Sequence, residues 1–269
     1  MGFGGDLFWT VLAREYYKKN NKKVTFVHGN NKIYFTEMWI NNPYISEEIL
    51  PDTNIINLNK YSNLHKELHT EKNSSLQRCN FFGFNPTNLK PDLVYTEKEE
   101  NKIKNLLKTL PEKFICIEPN AKTSWTPNRL YPFEKWQYIV NELVKNNINV
   151  IQVGIPGKKK LENVIDIRTK LSGIRETGCL LKYCNLFVST DGGLTNVSGA
   201  NGNKCLSIFT PMYSQNLTNP EIDNYHYIWI HTEDHKACHN IQFCRQCKEI
   251  MSNFDDNVII NEILKIYNK

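Results

Sequence analysis

The sequence predicts an α/β protein made of two successive Rossmann-like halves that face each other, the first of them short. Two observations carry this. Short apolar runs of strand character at residues 24–27, 54–58, 114–117, 150–154, 186–189 and 205–209 alternate with helical stretches. The alternation also starts afresh just after Pro111, and 269 residues leave room for two modest cores.

The elements follow in order. Residues 7–19 have helical periodicity, with Leu7, Val11, Leu12 and Tyr16 on one side. Strands at 24–27 and 54–58 come next. Residues 60–95 are irregular, with helical potential at 64–68 and 76–82, and residues 97–110 form a charged amphipathic helix that stops at Pro111. The second series opens with the strand at 114–117 and a polar loop at 119–131. A helix over 132–145 has proline in its first turn. The strand at 150–154 leads into a loop or short helix at 160–164. A helix at 174–184 and the strand at 186–189 precede small residues, 197–200, that suit a helix packed close to a sheet. The strand at 205–209 is stopped by Thr210-Pro211, and residues 258–267 form an amphipathic helix. The expected domains are 1–110 and 111–254, with the helix of about 255–269 available to pack back on the first. No internal repeat is visible.

Composition excludes several classes. Hydrophobic content of 40% with 12% aromatics excludes a disordered chain. The balance of 33 basic against 28 acidic residues is spread along the chain, so no nucleic-acid partner is expected. It suits an anionic small molecule or peripheral contact with an anionic membrane surface. No run approaches the ~20 apolar residues of a membrane span. No secretory signal is evident, and the eight scattered cysteines read as reduced thiols of a cytoplasmic protein.

Four stretches carry chemistry. In Ser189-Thr190-Asp191-Gly192-Gly193-Leu194-Thr195-Asn196, a strand end, an acid and paired glycines precede a helix. That arrangement brings backbone N–H groups up to a phosphate, while Asp191 can meet a hydroxyl of the same ligand. Gly4-Gly5-Asp6-Leu7 leads into the first helix. Asp6 there is either a helix cap or a carboxylate that takes a proton from an attacking hydroxyl. The loop at 119–131 holds Asn120, Lys122 and Arg129 at a strand's carboxyl end, where the two cations suit a diphosphate gathering charge. Glu162, beyond the basic run Lys158-Lys159-Lys160, can accept from ribose hydroxyls. Finally, Cys238, Cys244 and Cys247 have C-x5-C-x2-C spacing, and with His235 or His239 they offer four ligands for a structural zinc. The metal-free reading is preferred over that one.

Taken in order, these segments resemble glycosyltransferase family 9, the lipopolysaccharide heptosyltransferases and their relatives. Gly4-Gly5-Asp6-Leu7 is similar to the family's Gly-Asp motif, and Asn120 through Trp136 to its phosphate loop. Residues 171–195 are similar to the stretch ending in its nucleotide site. The resemblance implies a GT-B fold, inversion at the anomeric carbon, a nucleotide-sugar donor (ADP-linked by preference), a glycan or glycolipid acceptor, and no catalytic metal or other cofactor. It implies Asp6 as the base. Lys122, Arg129, Gly193, Leu194 and Thr195 would hold the donor phosphates, and Asn120, Asp191, Gly192 and Glu162 the nucleotide and sugar. The alternative is an inactive nucleotide-sugar-binding protein of the same fold. Three features depart from the family pattern. Asn196 stands for the usual His, and Tyr131 for Trp. The strand expected before the Gly-Asp motif is missing, which should expose the edges of its neighbours, so either the start is truncated or misplaced or the sheet is rebuilt.

Overall fold

The structure is a computed structural model that describes residues 2–64, 73–120, 126–212, 222, 224–234 and 237–269. Its helices are α1 (Phe3–Asn20), α2 (Leu58–Leu64), α3 (Ser74–Phe81), α4 (Glu97–Leu107), α5 (Phe133–Lys145), α6 (Ile174–Leu181), α7 (Gly193–Asn201), α8 (Arg245–Asn253) and α9 (Asp256–Tyr267). Its strands are β1 (Val24–His28), β2 (Lys32–Ile33), β3 (Asn54–Asn57), β4 (Ile115–Glu118), β5 (Val150–Gln152), β6 (Ile165–Asp166), β7 (Leu186–Thr190), β8 (Cys205–Phe209) and β9 (Tyr225–Trp229). They form two sheets, β2-β1-β3 and β6-β5-β4-β7-β8-β9.

The larger sheet is parallel throughout. Its strands are apolar on both faces because helices cover both. Ile115, Ile117, Leu186 and Val188 pack with α5 and α9, while Phe114, Cys116 and Phe187 pack with α4 and α6. Two expectations change here. The last helix does not return to the first sheet: Ile259, Ile260, Ile263 and Ile266 are buried against α5 and the larger sheet. Likewise α4 lies on the larger sheet through Ile103, so the chain joins the second core ahead of Pro111.

The smaller sheet pairs β1 in parallel with β3. The other edge of β1, which the sequence leaves in doubt, is taken. Val27 and His28 pair antiparallel with Ile33 and Lys32, and Val24 bridges Ile45, with hydrogen bonds of 2.8 Å to Tyr44 and from Ser46. The sheet is thus closed on that side by a hairpin and a crossing segment. Its core, built on Trp9, Phe26 and Trp39, also takes in Val197 and Ala200 of α7. The second half therefore supplies part of the first half's core.

Candidate active site

The helix α1 begins earlier than periodicity suggests, at Phe3, with Gly2 as a cap that has no side chain to offer. Asp6 therefore sits inside the first turns and does not cap the helix. Gly4 has a packing reason. A Cβ there would lie 2.4 Å from Asn196 Nδ2 and 3.4 Å from Gly193 Cα. Only the absence of a side chain lets the start of α1 rest on the start of α7. This contact sets the turn bearing Asp6 beside the Asp191-Gly192-Gly193 loop.

Asp6 is 2% exposed. Tyr34 donates its hydroxyl to Asp6 Oδ1 at 3.0 Å, and Trp39 Nε1 donates to the Asp6 carbonyl at 2.9 Å. Burial raises the carboxyl pKa to about 6, against the Tyr34 hydrogen bond, the chain's amino terminus and Arg78, all of which lower it. Arg78 is buried behind it, its guanidinium over the rings of Trp9, Phe8 and Tyr61 at 4.9, 5.3 and 5.4 Å. The base candidate is thus a desolvated carboxylate with a buried cation in its field, more basic than an exposed aspartate yet ionised at neutral pH.

On the other side, β7 ends at Thr190 and delivers Asp191 to the mouth of the sheet. Gly192 caps α7. The Thr195 hydroxyl accepts from Gly192 N–H (2.9 Å) and donates to Gly192 C=O (2.8 Å). The Thr195 side chain, expected at a phosphate, instead shapes the helix end. Leu194 points into the core. Of Gly193, Leu194 and Thr195, what is available to an anion is the backbone N–H groups of a helix first turn, which have no partner within the helix.

Arg129 comes from a short 3₁₀ turn, Pro127–Arg129, that Thr126 caps through Asn128 N–H. It forms an ion pair with Asp191. The two candidates meet, and in this state each neutralises the other. They line a narrow crevice with Thr190, Ile208, Phe209 and Thr210. Thr190 Oγ1 and Asp191 Oδ1 are buried there without a hydrogen-bond partner among the described residues, a feature that suits a polar ligand. Sheet order reverses between β4 and β7, the place where open α/β sheets bind ligands.

Two site features lack a sequence signal. The first is Tyr34, which reaches Asp6 only through the tertiary fold. The second is Glu118, at the end of β4. Its backbone carbonyl accepts from Ser189 Oγ at 3.0 Å, and its carboxyl presses on Gly154, where a Cβ would lie 2.8 Å from Oε1. Gly154 also has φ +109°, a second reason for glycine. Burial pushes the Glu118 pKa up to about 8, against a weak Ser189 contact. Asn120 donates to the Lys159 carbonyl at 2.9 Å, tying the loop after β5 to the end of β4. Glu162 is exposed, with its backbone held by Gln137, and its carboxylate joins none of the other candidates. Lys122 and His235 lie outside the described residues. Cys238, Cys244 and Cys247 come together, their sulfur atoms within 4.8 Å of one another.

Comparison with known proteins accords with this architecture. A family model described as Glycosyltransferase family 9 (heptosyltransferase) matches residues 53–248. No curated protein sequence matches the chain. Among solved structures, the glycosyl transferase family 9 protein of Veillonella parvula is 13% identical, with TM-score 0.73 over 99% of this chain and 94% of that one. The E. coli ADP-heptose lps heptosyltransferase II is 13% identical, with TM-score 0.62 over 98% and 96%. E. coli heptosyltransferase WaaC with ADP-2-deoxy-2-fluoro heptose is 11% identical, with TM-score 0.53 over 98% and 97%. At such identities these structures speak for the fold. No helix among the described residues is long and apolar enough to cross a membrane.

Proposed function

The chain belongs to glycosyltransferase family 9, the heptosyltransferase family, and from that premise we propose that it moves a heptose-like sugar from an ADP-linked donor to a hydroxyl of a lipopolysaccharide-type acceptor, with inversion and without a catalytic metal. The observation that carries the site assignment is the α1–α7 seam at Gly4, Gly193 and Asn196. It puts the buried Asp6 carboxyl and the first turn of α7 side by side, which supports a base and an anion cradle meeting there. The family match begins at residue 53, so the part given to Asp6 rests on this geometry and on the Gly-Asp motif.

In the proposed reaction the acceptor hydroxyl takes the place that the Tyr34 hydroxyl holds at Asp6 Oδ1. Its proton passes to Asp6 as its oxygen bonds to the anomeric carbon. The bond from that carbon to the phosphate oxygen breaks, and its electron pair leaves with the nucleoside diphosphate. Arg129 and the N–H groups of Gly193, Leu194 and Thr195 stabilise charge that grows on the leaving group. Donor binding draws Arg129 towards phosphate, which releases Asp191 to accept from sugar hydroxyls. The neighbours' ligands support the choice of donor, since one solved structure of the fold holds an ADP-heptose analogue. Asn120 and Lys122 are assigned to the donor by the motif alone.

The test is a thermal-shift panel of ADP-, GDP-, UDP- and CMP-linked sugars, followed by intact-mass analysis of candidate acceptors. ADP-linked donors should raise the melting temperature most, and an acceptor should gain one sugar mass. Stabilisation by a donor with no transfer to any acceptor would support a binding protein instead.

A further inference from the structure

We propose that Cys238, Cys244 and Cys247 hold one zinc ion, and that this ion fixes the loop to which Asn128 ties the turn that carries Arg129 into the crevice. The three sulfur atoms come from two segments. Cys238 lies in the segment after β9, where its N–H donates to the Pro211 carbonyl at 3.2 Å. Cys244 is the cap of α8, and Cys247 lies one turn inside that helix, completely buried. The sulfurs of Cys238 and Cys247 are 3.1 Å apart, and all three lie within 4.8 Å. Three thiolates at ~2.3 Å from a tetrahedral ion stand roughly 3.8 Å from one another, so small side-chain rotations seat the ion. An all-sulfur donor set favours zinc over hard cations such as magnesium or calcium.

The connection to the crevice runs through one side chain. Asn128 is 3% exposed. Its Oδ1 accepts from Cys244 N–H at 2.8 Å, and its Nδ2 donates to the carbonyls of Asn240 and Gln242 at 2.7 and 2.5 Å. The loop between Cys238 and Cys244 is thus strapped to the 3₁₀ turn that ends in Arg129. That loop exposes Ile241 (55%) and Phe243 (61%) to solvent, so apolar burial does little to hold it. A metal at its two ends supplies what packing does not. The effect on Arg129 rests on the donor-binding reading above, whereas the ion itself does not.

Protein purified without chelator is analysed by plasma mass spectrometry, with thiols counted after denaturation. About one zinc per chain and eight titratable thiols are expected. Protein without metal, or with six thiols because Cys238 and Cys247 have oxidised to a disulfide, overturns the site, and iron in place of zinc overturns the choice of ion. Removing the zinc with a mercurial and a chelator should open the loop to chymotrypsin after Phe243, an outcome independent of any substrate. Equal cleavage with and without the ion overturns the proposed fixing of the loop. Asn128→Ala should keep its zinc and raise the donor KM about tenfold with little change in kcat, the scale on which outer-shell contacts act. An unchanged KM overturns the link to Arg129 and leaves the zinc count standing.

Discussion

Adding one carbon at Gly4 should push the two halves of the molecule apart. A Cβ at that position would lie 2.4 Å from Asn196 Nδ2, where ordinary contact needs ~3.5 Å or more. The amide must therefore retreat by about 1 Å. Asn196 is only 6% exposed, and Gly193 Cα stands 3.4 Å from the same Cβ, so there is little space for the retreat. Overpacking of this kind costs roughly 1–3 kcal/mol, and alanine's better helix propensity returns up to about 1 kcal/mol. Gly4→Ala should thus lose about 1–2 kcal/mol. Asn196→Ala removes the obstructing amide, so the double variant should recover most of that loss, a coupling of about 1–2 kcal/mol. Turnover carries the larger signal, since a 1 Å misplacement of reacting groups costs ~100-fold. Urea unfolding of the four proteins and their kcat/KM values check this. Additivity within about 0.5 kcal/mol, together with full activity of Gly4→Ala, would falsify the seam.

Three further outcomes follow from the same structure. With the Asp6 pKa at about 6, kcat/KM should rise through pH 6 on its acid side. Tyr34→Phe removes a hydrogen bond that lowers this value, so the limb should move to higher pH. For Glu118 the sign runs against the charged form. A folded pKa of about 8 against 4.5 unfolded means that stability falls as pH rises through that window. Glu118→Gln should escape this loss and gain on the wild type by about 2–4 kcal/mol between pH 5 and pH 9, read as melting temperature across pH. Arg175 is 3% exposed and donates to Glu99 (2.6 and 2.8 Å) and to the carbonyls of Glu37 and Val94 (2.9 and 2.7 Å). Arg175→Met removes the charge-assisted hydrogen bonds of a buried guanidinium to partly exposed acceptors and should cost about 1.5–3 kcal/mol in chemical unfolding.

The larger sheet was legible because each of its inner strands is an apolar run covered on both faces. Its edge strand β9 was not, since Tyr225-His226-Tyr227-Ile228-Trp229 mixes aromatic and polar residues on a half-exposed edge. The helix α8 escaped for a related reason: Cys247 and Met251 are its only buried residues, too few for a clear stripe. The true start of α1 was hidden by Gly4 and Gly5, which argue against a helix locally, and Gly4 is there because α7 comes so close. In the site, Asp6, Arg129 and Asp191 stood out through motif order. The Arg129–Asp191 pair itself could not be read, because it joins a loop after β4 to the end of β7. Tyr34, Arg78 and Glu118 gave no local signal for the same reason. Their roles arise from burial and approach across the fold, which spacing along a chain does not encode.

Calorimetric donor binding and transfer rate, measured side by side on Asp6→Asn, separate the carboxylate's proposed chemistry from everything else in the cleft. The exchange keeps shape and removes the basic oxygen, so donor affinity should stay within about twofold while transfer falls by ~10²–10⁴. Turnover near the wild-type rate would contradict the assignment of the base. Loss of donor binding along with turnover would contradict the division of labour between the two sides of the seam.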